Sequence, residues 1–92
     1  MLTPEEKIKA IVSALEDVKA TEITVIDTSK LSSLFDSMVI ASANSTRQTK
    51  ALADNVVVKL KELGEEVYGR EGEESGEWIL VDLGEVLVHV MQ

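Results

Sequence analysis

Ile8, Ile11, Val12, Leu15 and Val18 recur at the three- and four-residue spacing that places side chains along one stripe of a helix. The segment ahead of them carries a start signal. In Thr3-Pro4-Glu5-Glu6, Thr3 can accept from the first free amides, Pro4 suits the first turn, and Glu6 can close a capping box. This pattern predicts a first helix ending near Ala20. The period then changes: residues 22–27 are short and rich in β-branched side chains, residues 36–43 form a second such run, and Lys30-Leu31-Ser32-Ser33 connects them. Two strands able to pair antiparallel are expected. Asn44-Ser45-Thr46-Arg47-Gln48 is another start signal, with Ser45 as cap and Gln48 three residues on, and Leu52, Val56, Leu60 and Leu63 follow along one stripe until Gly64. A strand over residues 67–70, a polar turn-rich stretch over 72–76, and runs over 78–83 and 86–91 about a Gly84-Glu85 turn complete the chain, the last two reading as a hairpin. The order predicts an α/β domain: a mixed sheet of about five strands with two amphipathic helices packed on it.

Alternation in the hairpin separates two faces, because side chains two apart point the same way. Ile79, Val81 and Leu83 share one face, as do Val86, Val88 and Val90, and these aliphatic sets suit a helix-covered core. The opposite face carries Trp78, Leu80 and Asp82 on one strand and Leu87, His89 and Met91 on the other. That mixed face is the candidate binding surface.

Composition narrows what such a surface can do. At 92 residues the chain holds one core and no second module. Seventeen acids against nine bases give a formal charge of -8, a field that repels phosphate backbones and favours basic protein surfaces. No direct nucleic-acid specificity is expected. Without cysteine there is neither a disulfide framework nor a thiolate metal site, and the N-terminus shows no signal peptide or membrane-anchor pattern. A cytoplasmic setting is the expectation. Trp78, Tyr68 and Phe35 are the only aromatic residues.

Catalytic chemistry finds little support. His89 is the only histidine, and no serine sits in a nucleophile-elbow glycine pattern. The cluster Glu71, Glu73, Glu74 and Glu77 lacks the spacing of a calcium loop, and the turn before the second helix has no phosphate-cradling glycine. Asp27, Asp36 and Asp82 are isolated along the chain, so a two-metal nucleotidyl-transfer site needs them to converge in space. The acidic cluster reads as a solvated loop that also steers a basic partner toward the adjacent face. His89, among apolar neighbours on a strand, reads first as a structural residue, and Met38 and Met91 as packing residues. Trp78, with its acidic flank, reads as an interface anchor rather than a core filler.

Read end to end, Glu22-Ile-Thr-Val-Ile-Asp27, Leu31-Ser-Ser33, Val39-Ile-Ala-Ser42 and Ser45-Thr-Arg-Gln48 resemble the ribosomal silencing factor family, also called Iojap-like. The resemblance continues through Ala53-Asp-Asn-Val56, Gly69-Arg-Glu-Gly72, Glu77-Trp-Ile-Leu-Val-Asp-Leu-Gly84 and Val86-Leu-Val-His-Val90. It implies a nucleotidyltransferase-like topology without the catalytic carboxylates, no enzymatic activity and no cofactor. It implies a translational repressor that binds the fourteenth protein of the large ribosomal subunit at the intersubunit face and blocks joining of the small subunit. Carried onto this sequence, the docking surface would include Glu77, Trp78 and the Val-His-Val strand. Trp78 would be its anchor, Leu80, His89 and Met91 would extend the contact, and Asp82, Glu71 and Glu74 would meet basic side chains. Members of that family usually continue into a short charged and aromatic tail. This sequence ends at Gln92, which implies a single domain over residues 1–92 lacking that tail. Homodimerisation through a sheet face or edge is compatible with the pattern. Two other readings stay open: a nucleotide-binding or residual nucleotidyltransferase-like domain, and a homodimeric adaptor.

Overall fold

The computed structural model describes residues 2–30, 35–72 and 77–92. The elements are α1 (Pro4–Asp17), β1 (Glu22–Asp27), β2 (Ser37–Ser42), α2 (Thr46–Glu62), β3 (Gly69–Glu71), β4 (Trp78–Asp82) and β5 (Val86–Met91). The strands form one five-stranded sheet in the order β1-β2-β5-β4-β3. Only the central β2–β5 pair is parallel, and the other three pairs are antiparallel, so the sheet is mixed as expected.

Both helix starts form as the sequence indicates. Thr3 accepts from the Glu6 amide at 3.1 Å while the Glu6 carboxylate accepts from the Thr3 amide at 3.0 Å. The Thr3 amide donating to the Glu6 carboxylate, with the Thr3 hydroxyl beside it, holds the Glu6 carboxyl below the usual carboxylate range. Ser45 accepts from the Gln48 amide at 3.1 Å, and the Gln48 carbonyl oxygen accepts from the Asn44 amide at 2.6 Å. The Gln48 amide nitrogen also donates to the carbonyls of Val18 and Lys19, so the start of α2 covers the end of α1. Further along, Asn55 donates to the Ala14 carbonyl at 2.7 Å, and Lys59 reaches Ser13 and Asp17. The two helices thus behave as one layer.

That layer covers one face of the sheet. Ile11, Ala14 and Leu15 from α1 and Leu52, Ala53, Val56 and Leu60 from α2 pack on Val39, Ala41, Ile79, Val81, Val86, Val88 and Val90. Leu83, just past β4, joins them. Every one of these side chains is fully buried.

Four expectations need correction. The first helix ends at Asp17 rather than near Ala20, because Lys19 turns left-handed (φ 61) and the amides of Lys19 and Ala20 fold back onto the carbonyls of Glu16 and Leu15. This is a Schellman ending. The second helix ends the same way, with Gly64 at φ 84 and the Gly64 and Glu65 amides bonded to Lys61 and Leu60. Leu63 therefore sits at the cap, 47% exposed, instead of in the buried stripe. Val12 is half-buried and outside the core, while Lys7, a turn earlier, is buried. Its ammonium donates to the Leu83 carbonyl and the Glu85 carboxylate, both at 3.2 Å, and lies 3.9 Å from Glu65, so the charge is paired. The strand expected over 67–70 runs over Gly69–Glu71 instead, since Val67 packs against the core before pairing begins.

Candidate functional site

Both helices lie on one side, so among the described residues no element covers the other side of the sheet, and register fixes which residues it presents. Trp78 pairs with Met91 and Met91 with Ser42; Leu80 pairs with His89 and His89 with Ile40; Asp82 pairs with Leu87 and Leu87 with Met38. On β1, Glu22, Thr24 and Ile26 continue these three rows, and Glu71 and Gly69 continue two of them on β3. His89 stands at the centre, flanked by Ile40 and Leu80 across the strands and by Leu87 and Met91 along its own strand.

The centre of this face is therefore apolar around one imidazole. Ile26, Met38, Ile40, Leu80, Leu87, Met91 and Trp78 all belong to it. Trp78 is 42% exposed, which makes it neither a core filler nor a free side chain. Gly72 explains the rest: a Cβ there would lie 2.8 Å from the Trp78 ring and the residue has φ +85, so only glycine lets the chain pass beneath the indole. Gly72 thus seats the ring at the edge of the open face.

Among the residues expected to bind a partner, the structure brings Trp78, Leu80, Asp82, His89 and Met91 onto one surface. Glu71 is exposed beside Leu80, and Glu77 is exposed where the chain enters β4. Glu74 lies outside the described residues. Asp82 has a second duty, because its carboxylate accepts from the Gly84 amide at 2.9 Å and so holds the β4–β5 turn. Ile26, Met38 and Ile40 were missing from the sequence-derived set. Alternation within residues 36–43 contains the signal for Met38 and Ile40, yet only the parallel β2–β5 pairing shows that they adjoin His89.

The convergent-carboxylate arrangement is not what the fold builds. Asp27 and Asp36 line a shallow recess of about 450 Å³ with Pro4, Glu5, Ile8, Val25, Ser29 and Ser37. Asp82 lies on the open face instead. The Ser29 hydroxyl and amide both donate to Asp27, holding its carboxyl below the usual carboxylate range. Among the described residues no group of three histidine or acidic side chains is placed to hold a metal.

A family model described as ribosomal silencing factor during starvation matches residues 2–92. The chain is 56% identical over 87 residues to the ribosomal silencing factor RsfS of Chromobacterium violaceum, covering 95% of this chain and 71% of that protein. It is 39% identical over 85 residues to the RsfS of Haemophilus influenzae, covering 92% and 83% respectively. A crystal structure of a Chromobacterium violaceum protein superposes with a TM-score of 0.96 at 54% identity, covering 98% of this chain and 75% of that one. One from Bacillus halodurans superposes at 0.90 with 33% identity, covering 96% and 82%. On the family match and on these identities across most of each sequence, the chain belongs to the ribosomal silencing factor family.

Proposed function

We propose that this protein represses translation by docking its open sheet face on the large ribosomal subunit, against the subunit's fourteenth protein, where its bulk keeps the small subunit from joining. The observation that carries this reading is the uncovered face itself. A five-stranded sheet with an apolar, Trp-edged surface, and among the described residues no helix over it, loses free energy when a partner covers it. Family membership names the kind of partner. Charge supports it: the formal charge of -8 and the rim residues Glu71 and Glu77 favour a basic protein surface and disfavour bare RNA. The Cα trace measures 31 × 28 × 21 Å, a body thick enough to hold two surfaces apart wherever it is seated between them. The activity is stoichiometric binding in the cytoplasm, with no bond made or broken and no cofactor.

Co-sedimentation with purified large subunits, followed by addition of small subunits, tests this directly. The chain should pellet with the large subunit and lower the yield of joined ribosomes in proportion to its occupancy. Joining at full yield over saturated large subunits would refute the steric block, and absence of pelleting would refute the docking. Raising ionic strength should slow association more than it speeds release, because rim charges act mainly on encounter. A salt-insensitive association rate would remove Glu71 and Glu77 from the account. Sedimentation of the free chain separates this reading from a homodimeric adaptor, which would bury the open face against a second copy.

A further inference from the structure

The two edges of the sheet are built differently. β3 is three residues long and consists of Gly69, Arg70 and Glu71, the short and charged kind of edge that discourages strand addition. β1 is six residues long, Glu-Ile-Thr-Val-Ile-Asp, with neither proline, glycine nor lysine to blunt it. All of its residues but Ile23 are exposed, Val25 at 47% and Ile26 at 37%. Its ladder phase can be read from its end: the Thr28 amide donates to the Asp36 carbonyl at 2.9 Å, one step beyond the Asp27–Ser37 pair. Because bonded and non-bonded pairs alternate in an antiparallel ladder, Glu22, Thr24 and Ile26 turn their backbone groups toward β2. Ile23, Val25 and Asp27 then turn theirs outward, where the sheet has no further strand among the described residues.

We propose that this edge is a second docking surface, which takes an extended peptide with an apolar centre and lysine or arginine at its flanks as a sixth strand. The backbone groups of Ile23, Val25 and Asp27 supply the pairing, and Val25 and Ile26 on opposite faces favour apolar residues opposite the strand centre. Charge selects the flanks. Glu22 and Asp27 close the two ends of β1 with no basic residue between them, and the recess beside Asp27 adds Glu5 and Asp36 with no lysine or arginine in its lining. The same charges, on a chain of net -8, oppose a second copy at this edge. This inference is independent of the ribosome-docking reading, because the pairing residues Ile23, Val25 and Asp27 stand outside the open-face rows, and only the Ile26 side chain borders both surfaces.

The test uses the full 92-residue chain, isotope-labelled, with a blocked synthetic peptide of alternating valine and threonine flanked by lysines. Amide signals of Ile23, Val25 and Asp27 should shift on addition. The same peptide N-methylated at alternate residues should bind at least about tenfold more weakly, as should one flanked by glutamates, since about 1.4 kcal/mol lost from pairing or charge is a tenfold loss. Val25→Pro removes one outward N–H while sparing the β1–β2 ladder, and edge strands tolerate proline. It should abolish the shifts while leaving large-subunit co-sedimentation intact. Equal binding by the N-methylated or glutamate-flanked peptides would overturn the proposal, and so would shifts confined to the open face or a β1-paired dimer of the chain. Should Val25→Pro fail to fold, the N-methylated peptide still decides.

Discussion

Ile79 and Leu80 are neighbours on one strand, both aliphatic, and they live in different worlds. Ile79 is fully buried beneath the helices, whereas Leu80 looks out beside His89 on the face that no helix covers. The same contrast runs along all of β4 and β5. Val81, Val86, Val88 and Val90 fill a buried layer, and Leu87, His89, Met91 and Trp78 form a surface. The difference teaches that hydrophobicity alone does not mark the core of this domain. Aliphatic β-branched packing marks the covered side of β4 and β5. On the same two strands a mixture of tryptophan, methionine, leucine and histidine marks the open side.

The comparison can be broken most forcefully at that adjacent pair. Ile79→Ala should cost about 3 kcal/mol of folding stability by opening a cavity in a close-packed layer, read as a lower urea midpoint. Leu80→Ala should cost less than about 1 kcal/mol by the same measurement, since a half-exposed site relaxes into water. Similar losses at both would mean that the open face is part of the core. Next in size, Trp78→Ala should weaken binding to large subunits by about 2 kcal/mol or more with the circular dichroism spectrum retained. Loss of the spectrum would assign Trp78 to the fold instead. Gly72→Ala should cost more than the roughly 1 kcal/mol of a positive φ alone, because its Cβ would also collide with the Trp78 carbonyl oxygen, and it should displace the indole and shift its fluorescence. Unchanged fluorescence would mean that Gly72 does not seat the ring. The smallest effect belongs to the helical layer: Lys19→Gly should add about 0.5 kcal/mol by relieving the left-handed residue of a Schellman ending. It should leave subunit binding unchanged, and a change would show that the two sides of the sheet are coupled.

Much of this was legible in the chain. Capping pairs at Thr3–Glu6 and Ser45–Gln48, the β-branched run of β1 and the alternation of the last hairpin are local signals, and each appears where the spacing put it. What stayed hidden depends on contacts distant in sequence. The parallel pairing of β2 with β5 brings Met38 and Ile40 beside His89, and no spacing within either strand announces it. The burial of Lys7 rests on Glu65, Glu85 and the Leu83 carbonyl, all distant in sequence, which close around its ammonium. The left-handed residue of the first helix end is Lys19 rather than glycine, so the local sequence carries no stop signal at Asp17. For the candidate site, alternation separated the open face on two strands and missed the contribution of the other two large ones, β1 and β2.

The absence of cysteine makes one measurement unusually direct. Single thiols placed by Met91→Cys on the open face and by Val58→Cys on α2, where Val58 is 53% exposed, can be alkylated in the free chain and again on purified large subunits. The account predicts that the thiol at position 91 is shielded on the subunit while that at position 58 reacts at its free rate. Shielding at position 58 with free reaction at position 91 would contradict it, because the protein would then be docking through its helices.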